Sequence, residues 1–265
     1  MFQPTIPLGG YAGWAFLSRT KEKQQAAFEH SPVIERETRY FEKNIGKIRT
    51  AEELVSDRTL LKVALGAFGL DDDINSKAFI RKILEDGTLT TDALANKLSD
   101  KRYLAFSKAF GFGDFAVPRT GLSEFGAEIT GLFKARSFEK AVGDQNGDLR
   151  LALSLQRDLK EIADKKTSVD TKWYSIMGQP PLRKVFETAF GLPSSYATID
   201  LDTQLKGFKD RAERTFGSAD ISQFTDPAKQ EKLIRLFLVR SEAQAFTAGA
   251  VRGQTALALL QGVGR

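Results

Sequence analysis

The stretch Lys62-Val63-Ala64-Leu65-Gly66-Ala67-Phe68-Gly69-Leu70 decides the fold, because it reads as the end of a helix and then recurs. Lys184-Val185-Phe186-Glu187-Thr188-Ala189-Phe190-Gly191-Leu192 repeats its Lys-Val start and its Ala-Phe-Gly-Leu finish at the same spacing. A looser copy, Ala109-Phe110-Gly111-Phe112, lies between them. Glycine after the last apolar residue of a helical pattern takes the left-handed position that ends the helix, where a side chain is costly. The next residue (Leu70, Phe112 or Leu192) then folds back on the last turn. Upstream, an apolar residue, Ser/Thr and Asp recur as Val55-Ser56-Asp57, Leu98-Ser99-Asp100 and Phe224-Thr225-Asp226. An aspartate there accepts from the orphan N–H groups of a first helical turn. Asp57, Gly69, Asp100, Gly111, Gly191 and Asp226 are therefore assigned as structural caps. With twenty phenylalanines in the chain, the repeated Ala-Phe-Gly reads as core packing rather than as a binding motif.

Outward from these caps the chain reads as helix after helix. Ser31-Pro32 opens a helix through Ile48, and Thr50 with Glu53 forms a capping box. Further helices are predicted over Asp57–Phe68, Ser76–Glu85, Thr91–Leu98, Asp100–Phe110, Ser123–Val142, Asp148–Lys166, Pro180–Phe190, Asp200–Phe216 and Asp226–Phe246. A weaker one is predicted near Thr255–Leu260. Leu149, Leu151, Leu153 and Leu155 alternate like a strand, but Leu151, Leu155, Leu159 and Ile162 continue at helical spacing, so helix is preferred. No alternating segments flank Asn-Gly or Asp-Gly turns. The fold class is all-α. Residues 1–13, with two prolines, three glycines and no charge, read as an extended arm. Residues 14–265 read as one multihelical domain of two quasi-repeated halves, about 14–118 and 119–265. Gly111–Leu122 would join those halves.

Composition excludes whole classes of chemistry. The 265 residues are 42% hydrophobic and 28% charged, enough for a self-sufficient core. There is no cysteine and one histidine, His30. Disulfides, thiolate metal sites, cysteine nucleophiles and the usual His-based triads are therefore absent. Asp144-Gln145-Asn146-Gly147-Asp148 imitates a calcium loop but has Leu149 and Leu155 where glycine and glutamate are needed. Asp71-Asp72-Asp73 follows a helix C-terminus and reads as a solvated loop. Gly111-Phe112-Gly113 lacks the third glycine and the preceding strand of a dinucleotide fingerprint. His30 reads as a loop residue. No cofactor and no metal are expected. The net charge is +5, yet nine basic and seven acidic residues interleave between Lys134 and Lys172, the pattern of solvated helices rather than of a phosphate-binding face. Nucleic-acid binding and membrane insertion are not expected. The start shows no basic region followed by an apolar stretch, so we expect a cytoplasmic protein.

Gly10-Tyr11-Ala12-Gly13-Trp14-Ala15-Phe16-Leu17 with Arg19-Thr20, then Tyr40-Phe41 with Ile45 and Ile48, then Ser56-Asp57 through Phe68-Gly69-Leu70, resemble a family of unknown function from alphaproteobacteria. Phe79-Ile80, Ala93-Leu94-Ala95-Asn96 and Asp100 with Tyr103 continue the likeness, which covers most of residues 10–115. Members of that family are often encoded among flagellar genes. The resemblance implies a multihelical fold and a flagellum-associated role, and carries no catalytic residues to transfer. The expected function is accordingly non-enzymatic, acting through protein–protein interfaces in flagellar assembly, export or regulation. A nucleic-acid-binding regulator and an enzyme using carboxylates and lysines are the alternatives.

The expected partner is a protein, with a flagellar component as the candidate. Ser241–Arg265 is sparsely charged and interrupted by four glycines, so it is weakly helical alone and suited to ordering against another surface. Phe246, Leu257 and Leu260 are its candidate anchors for a partner groove. The competing reading is that this segment closes the domain's own core.

Overall fold

The computed structural model describes the backbone of residues 3–262 and the side chains of residues 3–247 except residue 194. Among the described residues there are thirteen α-helices and no strand. They gather into two compact units. Unit 1 takes the residues up to Thr5 and Thr20–Val142, and unit 2 takes Ile6–Arg19 and the residues from Gly143 onward.

Helix α1 is Gly10–Glu29, α2 is Pro32–Asn44, α3 is Ala51–Ser56 and α4 is Arg58–Phe68. Asp57 caps α4, its carboxylate accepting from the N–H groups of Thr59 at 2.9 Å and Leu60 at 3.0 Å. At the other end Gly69 turns to φ 70°. The N–H of Leu70 then donates to the Leu65 carbonyl at 2.9 Å, and that of Gly69 to Gly66 at 3.2 Å. These are the two bonds of a Schellman motif, and they satisfy carbonyls that would otherwise be orphaned. Leu70 is thereby folded under the helix and buried.

After α5 (Lys77–Asp86) and the short α6 (Leu94–Lys97), α7 (Lys101–Phe110) begins at Asp100, which accepts from the Arg102 N–H at 3.0 Å. It ends at Gly111, φ 68°, whose N–H donates to Ser107 at 2.8 Å. Phe68, Phe106, Phe110 and Phe125 pack ring against ring, with centroids 5.0–5.4 Å apart along that chain. Each buried ring contributes roughly 1.5–3 kcal/mol of transfer free energy. Helix α8, Phe125–Gly143, closes unit 1.

In unit 2, α9 (Gly147–Ala163), α10 (Val169–Met177) and α11 (Pro180–Phe190) precede the second Schellman motif. Gly191 has φ 65°; Leu192 donates to Glu187 at 2.8 Å and Gly191 to Thr188 at 3.0 Å. Helix α12 (Leu201–Phe216) ends at Gly217, φ 85°. Helix α13 (Pro227–Gly262) follows Asp226, which accepts from the Ala228 N–H at 2.9 Å. Trp173, Phe186, Phe208, Phe216 and Phe224 form this unit's aromatic core.

The repeat extends further than the Ala-Phe-Gly signature. Leu132-Phe133, Arg136 and Ser137 in α8 recur as Leu236-Phe237, Arg240 and Ser241 in α13. Phe133 and Phe237 are both buried. The Arg136 guanidinium lies over Gly69 and that of Arg240 over Gly191, 3.1 and 3.2 Å from where a Cβ would stand. Arg240 also donates to the Ala189 carbonyl, and Arg211 to that of Phe190. Unit 1 interposes α5 and α6 between the two halves of the pattern, so the offset between copies changes along the chain.

Four sequence expectations are corrected. The extended N-terminal stretch ends at Gly9, because the Gly9 carbonyl already accepts from Gly13 at 3.0 Å and starts α1. The division between units falls at Val142/Gly143 rather than at 118/119. The 111–122 connection is tied into unit 1: Thr120 donates to the Ile48 carbonyl at 2.7 Å, and the Thr88 hydroxyl to Asp114 at 2.8 Å. Helix α9 runs Gly147–Ala163 rather than from Asp148 to Lys166, because Asn146 caps it, accepting from Asp148 and Leu149. Helix α10, capped by Ser168, and the unbroken run of α13 through its glycines are additions the local pattern did not announce.

Replacing Gly191 or Gly69 by alanine is expected to lower unfolding free energy by about 1 kcal/mol or more, from left-handed strain and displacement of the covering arginine. Urea titration of each variant measures this; alanine at Gly147, a helical glycine with open space around its Cβ, is the control that should show little loss.

Candidate functional site

Two features of unit 2 distinguish its ends: a glycine-lined seam between α1 and α13, and the stretch of α13 beyond it. The chain enters α1 through Gly10 and Gly13, where side chains do not fit. A Cβ on Gly13 would lie 2.1 Å from the Leu8 carbonyl oxygen. Gly10 has φ 57°, and its Cβ would meet the Glu242 carboxylate at 2.3 Å. This close approach sets Tyr11 and Trp14 against α13. Glu231 accepts from the Tyr11 hydroxyl at 2.9 Å through one oxygen and from Trp14 Nε1 at 3.0 Å through the other. The Arg235 guanidinium lies 5.5 Å from the centre of the Tyr11 ring. Trp14 is buried, so its N–H requires this acceptor. The hydrogen bond to Glu231, with some burial, pushes the Tyr11 hydroxyl above its ordinary pKa.

Helix α13 uses one side for its own unit. Leu233, Ile234, Phe237 and Leu238 are buried, and Ser241 donates to Asp148 at the start of α9. From Glu242 to Thr247 every residue is exposed. Glu242 still lies against Gly10, but the five residues after it, Ala243–Thr247, sample all sides of a helix with 3.6 residues per turn, so the helix leaves the surface of the unit beyond Glu242. Phe246 is 81% exposed there. This excludes a core-closing role for Phe246. Leu257 and Leu260 lie outside the residues whose side chains are described. Val239, 49% exposed, and Ala243 share the side of Phe246 at spacings of four and three. The sequence signal for this outward stripe was present in the spacing from Val239, but its exposure depends on which side the core takes.

The other candidates resolve into structure. His30 is exposed beside Glu35, Nδ1 to carboxylate 3.1 Å. Asp71 pairs with Lys140 at 3.5 Å, and Asp73 accepts from Tyr103 at 2.7 Å; burial and that aspartate push Tyr103 up to about 12. Gly113 abuts Gly87 backbone to backbone. Among the described residues no group of three or more His, Asp or Glu is placed to hold a metal ion, and no helix is long and apolar enough to cross a membrane.

A family model described as a protein of unknown function, DUF1217, matches residues 67–230. A crystal structure of an Agrobacterium tumefaciens protein, from a structural genomics programme, is similar over 91% of this chain and 99% of its own. The two share 28% identity with a TM-score of 0.71. No curated protein matches the chain.

Glu231→Ala is expected to cost about 1–3 kcal/mol, since it leaves the Trp14 donor buried and unpaired. The Tyr11 contribution is full below the ordinary phenol value of about 10 and fades as pH rises through the raised one. Chemical unfolding followed by tryptophan fluorescence tests both: stability should fall on going above pH of about 10, and Tyr11→Phe should reduce that fall.

Proposed function

We propose that the chain, which belongs to this family of unknown function, is a non-enzymatic helical protein acting through protein–protein contacts, with a flagellar component as its partner. The observation that carries the reading is Phe246, a large apolar ring left 81% exposed on a helix that has parted from its own unit. Among the described residues Phe246 is the most exposed large apolar side chain, and with Val239 and Ala243 it begins an apolar stripe, the kind of contiguous exposed surface that marks an interaction site. Helix-in-groove recognition uses this arrangement, an amphipathic helix presenting anchors at helical spacing. Leu257 and Leu260 continue that spacing in the sequence. The flagellar assignment is supported by the likeness of Gly10–Thr20 and the following motifs to a family whose members are often encoded among flagellar genes. The setting proposed is the cytoplasm, before any export. The lack of cysteine and the exposed position of the lone histidine, held against Glu35, favour contact over catalysis.

Affinity capture from native cells tests the proposal. Wild-type protein should recover flagellar structural, export or regulatory proteins, identified by mass spectrometry. Deleting residues 247–265, or Phe246→Asp, should abolish recovery while leaving the helical circular dichroism and unfolding midpoint in place. Equal recovery by all three proteins would discard the reading, and so would global unfolding of the truncated chain.

A further inference from the structure

We infer that the Thr20–Gln24 turn of α1 is a binding site for an extended, proline-containing peptide, and that Pro4-Thr5 of this chain fills it as an intramolecular strap. Strap and turn both belong to unit 1, apart from the α13 stripe. The centre of the site is the Gln24 side-chain amide. Its Oε1 accepts from the Thr5 N–H at 2.6 Å, and its Nε2 donates to the Thr5 carbonyl at 3.1 Å. One amide thus takes both main-chain hydrogen-bonding groups of one residue, as a neighbouring strand would. The same Nε2 also donates to Thr20 Oγ1 at 2.8 Å, one turn back along α1. That bond is internal to the helix and holds the amide in place whichever chain stands opposite it, so the clasp is pre-organised. Gln24 is 9% exposed, and at that burial both ends of its amide require partners.

What the clasp reads is backbone. Thr5 is exposed, as are Gln3, Pro7 and Leu8, and the residue buried beside the clasp is Pro4. The site therefore asks for a proline followed by a residue with a free N–H and carbonyl, a requirement that another chain can meet as well as this one. Proline fixes φ and holds the residue before it extended, so Gln3-Pro4 and Ile6-Pro7 keep the segment straight without a sheet around it. Such a peptide loses little entropy on binding. The strap carries no charge, and neither do Thr20 and Gln24 that meet it, so the matching partner segment is neutral. Release of the strap is built in. Gly9 and Gly10 follow it, and Gly10 stands at φ 57°, where a residue without a side chain changes direction at little cost. Helix α1 keeps its place meanwhile, because Glu231 holds its start through Tyr11 and Trp14. A seated strap lowers the apparent affinity for a partner peptide in proportion to the fraction of molecules in which the site is open.

Fluorescence anisotropy with a labelled synthetic peptide of the sequence of residues 2–9 tests this on the full chain. Thr5→Pro removes the N–H that Gln24 holds, unseats the strap and should raise affinity for the peptide at least about tenfold over wild type. Adding Gln24→Ala should abolish that binding, and a peptide that itself carries Thr5→Pro should bind neither protein. Circular dichroism checks that each variant keeps its helices, and faster hydrogen exchange at Ile6 and Leu8 checks that the strap is off. Deleting residues 1–8 unseats the strap by a second route and should give the same gain. No binding by either unseated protein, or equal binding with and without Gln24, would overturn the inference. So would a wild type that binds the peptide as tightly as Thr5→Pro, because the strap would then not occupy the site.

Discussion

A helix that ends inside a folded unit must satisfy its last carbonyls without water, and the glycine-ended helices here show how the chain meets that constraint. At Gly69 and Gly191 the backbone turns left-handed, two N–H groups reach back across the final turn, and a leucine is buried under it. An arginine from the closing long helix of the same unit then lies over the glycine. The aromatic cores are arranged from these points, because Phe68 and Phe190 occupy the last helical position before each turn and their rings contact the helices that follow. A side chain at the glycine would disturb the dihedral and the arginine together, so cap and core are one device.

Helix α13 shows how one element divides its faces between uses. Its first half gives Leu233, Ile234, Phe237 and Leu238 to the core and Glu231 to the Tyr11 and Trp14 of α1. Its outward side carries a separate apolar stripe that no core residue explains. A carboxylate that binds a phenol and an indole at once holds a helix by two directed bonds where glycines have removed the side chains between them. That arrangement fixes the direction in which the rest of α13 runs, and hence where Phe246 is presented.

The N-terminal motif Gly10–Leu17 was conspicuous in the sequence without being interpretable there. Its glycines look like the mark of an extended arm until Leu8, Glu242 and Leu149 are seen to crowd them. Glycine lowers helix propensity because of backbone entropy, yet it is required where another backbone or side chain comes too close for a Cβ. Local sequence cannot separate these two uses. In α13 the continuous backbone likewise runs through glycines that weaken helix propensity.

By itself the sequence determined the all-α class, the helix ends at Asp57, Gly69, Asp100, Gly111, Gly191 and Asp226, and the absence of thiol and multi-histidine chemistry. These follow from local physics: a cap is a bond between neighbours in the chain, a left-handed glycine is a local conformation, and composition needs no geometry. Only the tertiary structure decided that the units divide at Val142/Gly143, that α1 gives its first half to one and its second half to the other, and that Phe246 is bare where Val142 is buried. Those outcomes depend on contacts between residues far apart in sequence. The same apolar spacing serves equally well for a buried stripe and an exposed one, until packing elsewhere settles which side of the helix faces the core.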